Sequence, residues 1–316
     1  MLGERMDIQN VLNDAVKYAA ERMEGGKSAA YIPELAKEDP RRLGACISMV
    51  DGRIFTAGDW DHDFTMQSIS KTITLIMALE KLGEDYVFSK VGVEPTGDSF
   101  NSIVKLETRT PHPLNPMINA GAIAISSCLI GAGYSFEDYL NTVRQLCGRS
   151  TITLNENVYL SEQKAGNRNR AMAYLMENDN VLDCAAEEAC DLYFKACSVN
   201  VNTRDLARYA RLLANNGMYP ETGRRIINSR ITCIVKTLMI TCGMYDASGY
   251  FALNVGLPAK SGVGGGIMAT LEKKAGLAAY SPGLDAKGNS IGAYYVLQYL
   301  SEKLSLHYFS AEECLI

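Results

Sequence analysis

Histidine is nearly missing. Only His62, His112 and His307 occur in 316 residues, far apart and without ligand spacing, so a metal centre built on imidazole has no support. The acidic run "DWDHD" around His62 offers carboxylates to a cation but reads better as a polar loop. Nine cysteines are scattered without a single CxxC pair; an odd, dispersed set reads as free thiols in a reducing cytoplasm. The start, MLGERMDIQN, has no cationic segment followed by an apolar one, so no signal peptide is expected. The longest run poor in charge, Pro113 to Tyr134, is broken by Asn, Ser and Gly and reads as a buried helix, not a membrane span. There is no dense Lys/Arg stripe and the net charge is -5, which argues against nucleic acid or an anionic membrane as partner.

What is present suits a soluble globular protein: 47% hydrophobic and 21% charged residues. The length fits one large domain or two intertwined ones. Helical spacing over Asp7 to Met23 is closed by Gly25-Gly26. "ACISMV-DG-RIFTAG" reads as two short strands around a tight Asp-Gly turn. Helices are then expected at Ser68–Leu82, Asn119–Ile130, Ser135–Cys147, Ser161–Met176, Asp183–Ser198, Thr203–Asn215 and Ser229–Cys242. Strands return at Tyr250–Val255, Gly266–Leu271 and Gly276–Tyr280, before a last helix, Gly288–Leu304.

Two strands at one end and three at the other cannot each bury a face alone. One five-stranded antiparallel sheet made from both ends, carrying the first and last helices, solves both problems. The expected fold is therefore α+β, with residues 1–66 and 244–316 forming a sheet-plus-helix domain. Residues 67–243 form an inserted helical domain, and the cleft between the two is the expected site.

Within "FTMQSISKTITLIMALEKLG" (64–83), Ser68 and Lys71 stand three apart where an apolar helix begins. SxxK alone is a poor signal, since Ser102–Lys105 and Ser161–Lys164 repeat it. Only Ser68 lies between a strand-rich segment and a helix with Ile69, Ile73, Ile76, Leu79 and Leu82 spaced to bury one face. At i and i+3 the pair shares a side of that helix, beside its free N–H groups and positive dipole end. To take the serine's proton the lysine must be neutral, which burial in a dry cleft favours.

Downstream, "LPAKSGVGGGI" (257–267) places Lys260-Ser261-Gly262 on an expected edge strand. SxxK at a helix start with K-[ST]-G on an edge strand is the paired signature of penicillin-recognising serine hydrolases. Glycines at 262 and 264–266 allow close backbone approach, so the N–H groups of Ser68 and Val263 are expected to form an oxyanion hole. The same stretch fails as a phosphate loop, because Asn254 and Ala259 stand where the two glycines of that motif belong.

With these motifs in view, the chain resembles the serine-dependent, β-lactamase-like glutaminases of bacterial type. The matching stretches are "YIPELA" (31–36), "QSISK" (67–71), "PTGDSFNS" (95–102), "NPMINAGAI" (115–123), "SEQKAGNRNRA" (161–171), "DLYFKACS" (191–198), "MYDASG" (244–249) and "VGLPAKSGVGGGI" (255–267). The resemblance implies hydrolysis of L-glutamine to L-glutamate and ammonia without metal or organic cofactor, by a homodimer or homotetramer. It implies Ser68 as nucleophile, Lys71 as base and Tyr245 as a partner in proton transfer. Tyr31, Asn119, Glu162, Asn169 and Tyr193 would hold the substrate, and Val263 would complete the oxyanion hole. Free glutamine carries an ammonium and a carboxylate; Glu162 suits the first, and Asn119, Asn169 and Tyr193 suit the second. Ala259 stands where a glycine is common in the family. Two other readings stay open: a penicillin-interacting hydrolase, against which stands the missing Ser-x-Asn motif, and a binding protein that has kept the fold without turnover.

Overall fold

The computed structural model describes residues 7–97, 102 and 111–316. Parts of two sequence features, residues 98–101 of "PTGDSFNS" and Lys105 of the second SxxK, lie outside the described residues. The chain opens with helix α1 (Ile8–Ala20), capped by the Asp7 carboxylate, which accepts from the N–H groups of Gln9 and Asn10. Strands β1 (Gly44–Met49) and β2 (Ile54–Gly58) follow as an antiparallel pair. Their turn uses Gly52 at φ +94°, while Asp51 Oδ1 accepts from Arg53 N at 3.0 Å.

The expected five-stranded antiparallel sheet is present. Strands β5 (Ala259–Ser261), β6 (Gly266–Leu271) and β7 (Ala275–Tyr280) join the first two in the order β2-β1-β7-β6-β5, with β5 at the edge. Side-chain alternation divides its two faces. Ala45, Ile47, Met49, Ile267, Ala269, Leu277 and Ala279 face one apolar core shared with α1 and the last helix, α12 (Ile291–Leu304). Cys46, Met268, Ala278 and Tyr280 belong to the other core, which is otherwise helical.

That second core is built around helix α2 (Ser70–Leu82), in which every residue from Ser70 to Leu79 is buried. The spacing had suggested one buried face; the first ten residues, the polar Ser70, Lys71, Thr72 and Thr74 among them, are instead wrapped on all sides. Around it stand α3 (Glu84–Lys90), α4 (Asn119–Gly131), α5 (Phe136–Cys147), α6 (Glu156–Ala165), α7 (Asn167–Asn178), α8 (Ala186–Cys197), α9 (Thr203–Ala214) and α10 (Ser229–Cys242). A two-residue ribbon, β3 (Phe64–Thr65) with β4 (Asn200–Val201), brings the approach to α2 against the end of α8.

Two expectations are corrected. The stretch Tyr250–Val255 is not a strand; Ser248–Asn254 forms helix α11. Its aromatic residues favour strands locally, but Ala247, Ser248, Phe251 and Val255 are the buried positions, a helical spacing that packing enforces over propensity. The fifth strand is β5 instead. The expected helix Ser161–Met176 is two helices, α6 and α7, broken at Gly166. A Cβ at Gly166 would lie 2.4 Å from the Phe194 ring and 2.8 Å from the Glu162 carbonyl oxygen, so the break lets α6 and α7 close onto α8.

Candidate active site

Ser68 sits in a single 3-10 turn, Gln67–Ile69, that runs directly into α2. Gln67 takes φ +48°, a left-handed conformation that a non-glycine residue adopts only at some cost. Ser68 is 5% exposed and Lys71, one turn on, is 1% exposed. The Lys71 ammonium nitrogen donates to Asn119 Oδ1 at 2.6 Å, and the Asn119 amide nitrogen donates to Asn169 Oδ1 at 3.0 Å. These two bonds fix which way the Asn119 amide points. Burial pulls the Lys71 pKa down to about 8, against smaller opposing effects of Cys197 and Glu162.

Edge strand β5 closes the other side. The loop after it approaches the Ser68 turn so closely that a Cβ at Gly262 would stand 2.6 Å from the Met66 carbonyl oxygen. At Gly264 it would stand 2.3 Å from that of Thr65. Only glycine permits this, and Val263, itself buried, lies between these two close approaches to the chain just before the serine. The hydrogen bonds of the loop run from Gly262 N to Gly266 O and from Gly265 N to Gly262 O, both 2.9 Å, and the Val263 N–H is engaged in neither.

Tyr245 lies on a 3-10 turn, Tyr245–Ala247, at φ +55°. Its hydroxyl donates to the Ser261 carbonyl at 3.3 Å and is hydrogen-bonded to the Ser68 side chain. The same Ser261 carbonyl accepts from Lys260 Nζ at 2.6 Å, and that amine lies 4.6 Å from the centre of the Tyr245 ring. Lys260 is fully buried, and desolvation, then the nearby Lys71, drive its pKa far below the ordinary lysine range.

Glu162, on α6, is buried; desolvation lifts its carboxyl to about 7, while a hydrogen bond from Gln67 and the Lys71 charge pull the other way. Asn169, on α7, is half-buried. Tyr193, on α8, is buried with Lys71 Nζ 5.8 Å from its ring centre, and burial raises its hydroxyl well above the ordinary value. Tyr31 is 55% exposed, yet its hydroxyl end is desolvated beside Tyr245, Glu162 and Cys197, which raises its pKa. It lines both an 820 Å³ cleft that reaches Val263 and a 530 Å³ cleft over Ser161 and Lys164.

All the expected site residues thus fall in one neighbourhood. Ser161–Lys164 does not repeat the arrangement, because Lys164 is exposed at an outer cleft. Two participants escaped the sequence reading: Gln67, which holds Glu162, and Cys197, whose thiol is 3.8 Å from Ser70 Oγ. Burial pushes that thiol up to about 12. Gln67 could have been flagged only as the neighbour of the serine; no pattern marks Cys197. The acidic run near His62 is engaged elsewhere, with Asp63 on Arg149 and His62 on Glu38. Among the described residues no three His, Cys, Asp or Glu side chains are grouped to hold a metal ion.

Comparison with known proteins agrees with this geometry. Residues 26–309 match the profile of a family described as glutaminase. Glutaminase 2 of Clostridium perfringens is 49% identical over 305 residues, covering 96% of this chain and 100% of that protein. The glutaminase of Alkaliphilus oremlandii is 48% identical over 308 residues, covering 96% and 100%. Among solved structures, a probable glutaminase of Bacillus subtilis superposes with a TM-score of 0.89 at 37% identity, covering 97% of this chain and 99% of that one. A Bacillus subtilis glutaminase in covalent complex with 5-oxo-L-norleucine, formed by reaction with 6-diazo-5-oxo-L-norleucine, superposes at 0.87, with 37% identity, covering 96% and 100%.

Proposed function

The chain belongs to the glutaminase family and is a hydrolase of the glutamine amide, and from that premise we propose that it works through a serine acyl-enzyme. Lys71 takes the proton of Ser68 Oγ as that oxygen attacks the side-chain amide carbon. The carbonyl electron pair moves to its oxygen, which the N–H groups of Ser68 and Val263 receive. Tyr245 delivers a proton to the amide nitrogen, the C–N bond breaks and ammonia leaves. Water then attacks the ester by the reverse proton path and releases L-glutamate.

The observation that carries this reading is the state of Lys71: buried, bonded to a neutral amide oxygen at 2.6 Å, in no ion pair with a carboxylate among the described residues, and one helical turn from Ser68. Glu162 would receive the substrate ammonium, whose charge turns a carboxyl of raised pKa into a stable anion. Asn169, Asn119 and Tyr193 would receive the α-carboxylate, and Tyr31 would cover the bound molecule. Residues 1–66 with 244–316 act as one domain and 67–243 as the other, with the reaction in the cleft between them. The chain works as a homodimer or homotetramer. A cytoplasmic setting suits its nine free thiols, six of them buried; among the described residues no helix is long and apolar enough to cross a membrane.

The test compares wild type with Ser68→Ala, following ammonia release from glutamine, asparagine and γ-glutamyl compounds, and peptide mapping after 6-diazo-5-oxo-L-norleucine. Turnover should fall by several decades with the fold intact, and the label should map to Ser68. A label on another residue, or substantial turnover by the variant, removes Ser68 from the mechanism.

A further inference from the structure

Beside the Tyr245 turn lies a second cavity of 270 Å³, which shares Asp285 and Ile291 with the 820 Å³ cleft that reaches Val263. Tyr250 and Phe251 of α11 wall it on one side, and Tyr294 and Tyr295 of α12 on the other. The rings form a continuous array: Tyr250 and Tyr294 are 6.0 Å apart and near-parallel, while Phe251 and Tyr295 meet Tyr294 edge-on at 6.1 and 5.5 Å. At the bottom is Asn289, 4% exposed. Its amide nitrogen donates to the Met244 carbonyl at 3.3 Å, which settles the orientation of the amide. No donor among the described residues reaches its Oδ1. An orphaned buried acceptor of this kind costs stability unless something fills the role of donor. At the rim is the exposed carboxylate of Asp285, whose Oδ1 accepts from Lys287 N and Asn289 N.

The polar atoms that remain to be satisfied here are Asn289 Oδ1, an acceptor, and the buried Tyr294 hydroxyl, which accepts as well as donates, and the walls are electron-rich rings. The Asp285 carboxylate and the ring faces disfavour an anion, and a neutral apolar ligand has no use for Asn289 Oδ1. The lining matches an organic cation with N–H donors, whose charge faces tyrosine rings and a carboxylate. We propose that this cavity is a second ligand site, distinct from the glutamine site, for a protonated arylalkyl amine: the aryl group stacks among the four rings, and the ammonium donates to Asn289 Oδ1 near Asp285. The site adjoins catalytic machinery, since Asn289 holds the carbonyl of Met244, the residue before Tyr245.

The probe is 2-phenylethylammonium, with 2-phenylethanol as its uncharged isostere. Binding is measured by titration calorimetry on the whole chain in saturating L-glutamate, so that the ammonium pocket at Glu162 is already filled. The ammonium should bind saturably and about tenfold or more tighter than the alcohol, as a cation facing rings and a carboxylate requires. Tyr250→Ala, which removes an exposed wall, and Asp285→Asn, which removes the charge but keeps an oxygen acceptor for its two N–H partners, should each weaken binding about three- to thirtyfold. Their melting temperatures should stay near wild type. Absence of saturable binding at millimolar ligand overturns the proposal. So does equal affinity for the alcohol, or binding that neither substitution affects.

Discussion

Replacing Lys71 by methionine should separate catalysis from stability in opposite directions. Folded, Lys71 titrates near 8 instead of near 10.5, a difference of about 3 kcal/mol against the charged form. At pH 7 about one molecule in ten then carries the free amine, against about one in three thousand for an ordinary lysine. From Lys71 alone, kcat/KM of wild type should fall about tenfold for each pH unit below 7, and more steeply as the Glu162 carboxyl, lifted to about 7, also takes up a proton. Lys71→Met removes the base and should lose about 10²–10⁴ in kcat. The linkage has a definite sign: below pH 8 both folded and unfolded chains carry the proton, and the folded chain bears the whole cost of burying it. Between 8 and 10.5 the folded chain sheds the proton first, so wild-type stability rises with pH. The variant never bears that cost, but it leaves Asn119 Oδ1 without its donor, at about 1 kcal/mol. It should be more stable than wild type by about 1–3 kcal/mol at pH 6.5, the gain vanishing by about pH 10.5. Urea unfolding at several pH values reads this directly. A variant no more stable at pH 6.5, or equally advantaged at both ends, refutes the claim that the amine is held dry and poorly charged.

Glu162→Gln should raise KM for glutamine more than it lowers kcat, because the ammonium loses its anion. Since the folded carboxyl titrates near 7 rather than 4.5, the charged form costs stability that develops as pH rises through this window. The glutamine variant should accordingly be more stable at pH 8 and equal to wild type near pH 4; steady-state kinetics with an unchanged KM would count against the ammonium assignment. Gly166→Ala should push α6 and α7 away from Phe194, costing about 1–3 kcal/mol and raising KM, since Glu162 and Asn169 flank that joint. Wild-type KM in a stably folded variant would show that the break between the helices does not position the site.

Elements with a strong period and clear stops were legible before any coordinates. Helix α10 coincides with its expected bounds, and β6 does as well. Errors arose where local preference and tertiary packing disagree. Tyr250–Val255 looks strand-like residue by residue, but Phe251 and Val255 are four apart and buried together. Gly166 lay inside one expected helix, Ser161–Met176, and only the Phe194 ring and the Glu162 carbonyl against it turn it into a break. At the site, Ser68, Lys71 and Lys260-Ser261-Gly262 were legible because motif and element agreed. Gln67 and Cys197 were not, because what makes them matter is contact across some 95 and 126 residues of chain, with Glu162 and Lys71 respectively, and such contacts leave no period.

The choice of Asn119 as the partner of Lys71 has a chemical logic that spacing alone could not supply. A carboxylate at 2.6 Å would orient the amine equally well, but its charge would restore the lysine pKa and lock the proton in place. An amide oxygen orients without recharging. It must itself be oriented, or its nitrogen would face the amine, and the bond from Asn119 to Asn169 does this. Glu162, a carboxylate of the same pocket, acts on Lys71 only as a smaller charge effect than burial, and its own raised pKa leaves it partly protonated near neutrality. The bound substrate ammonium would then favour the anion at Glu162, which by itself raises the Lys71 pKa, while adding a positive charge that lowers it; the two effects oppose each other, so burial remains what keeps the amine free when glutamine is in place.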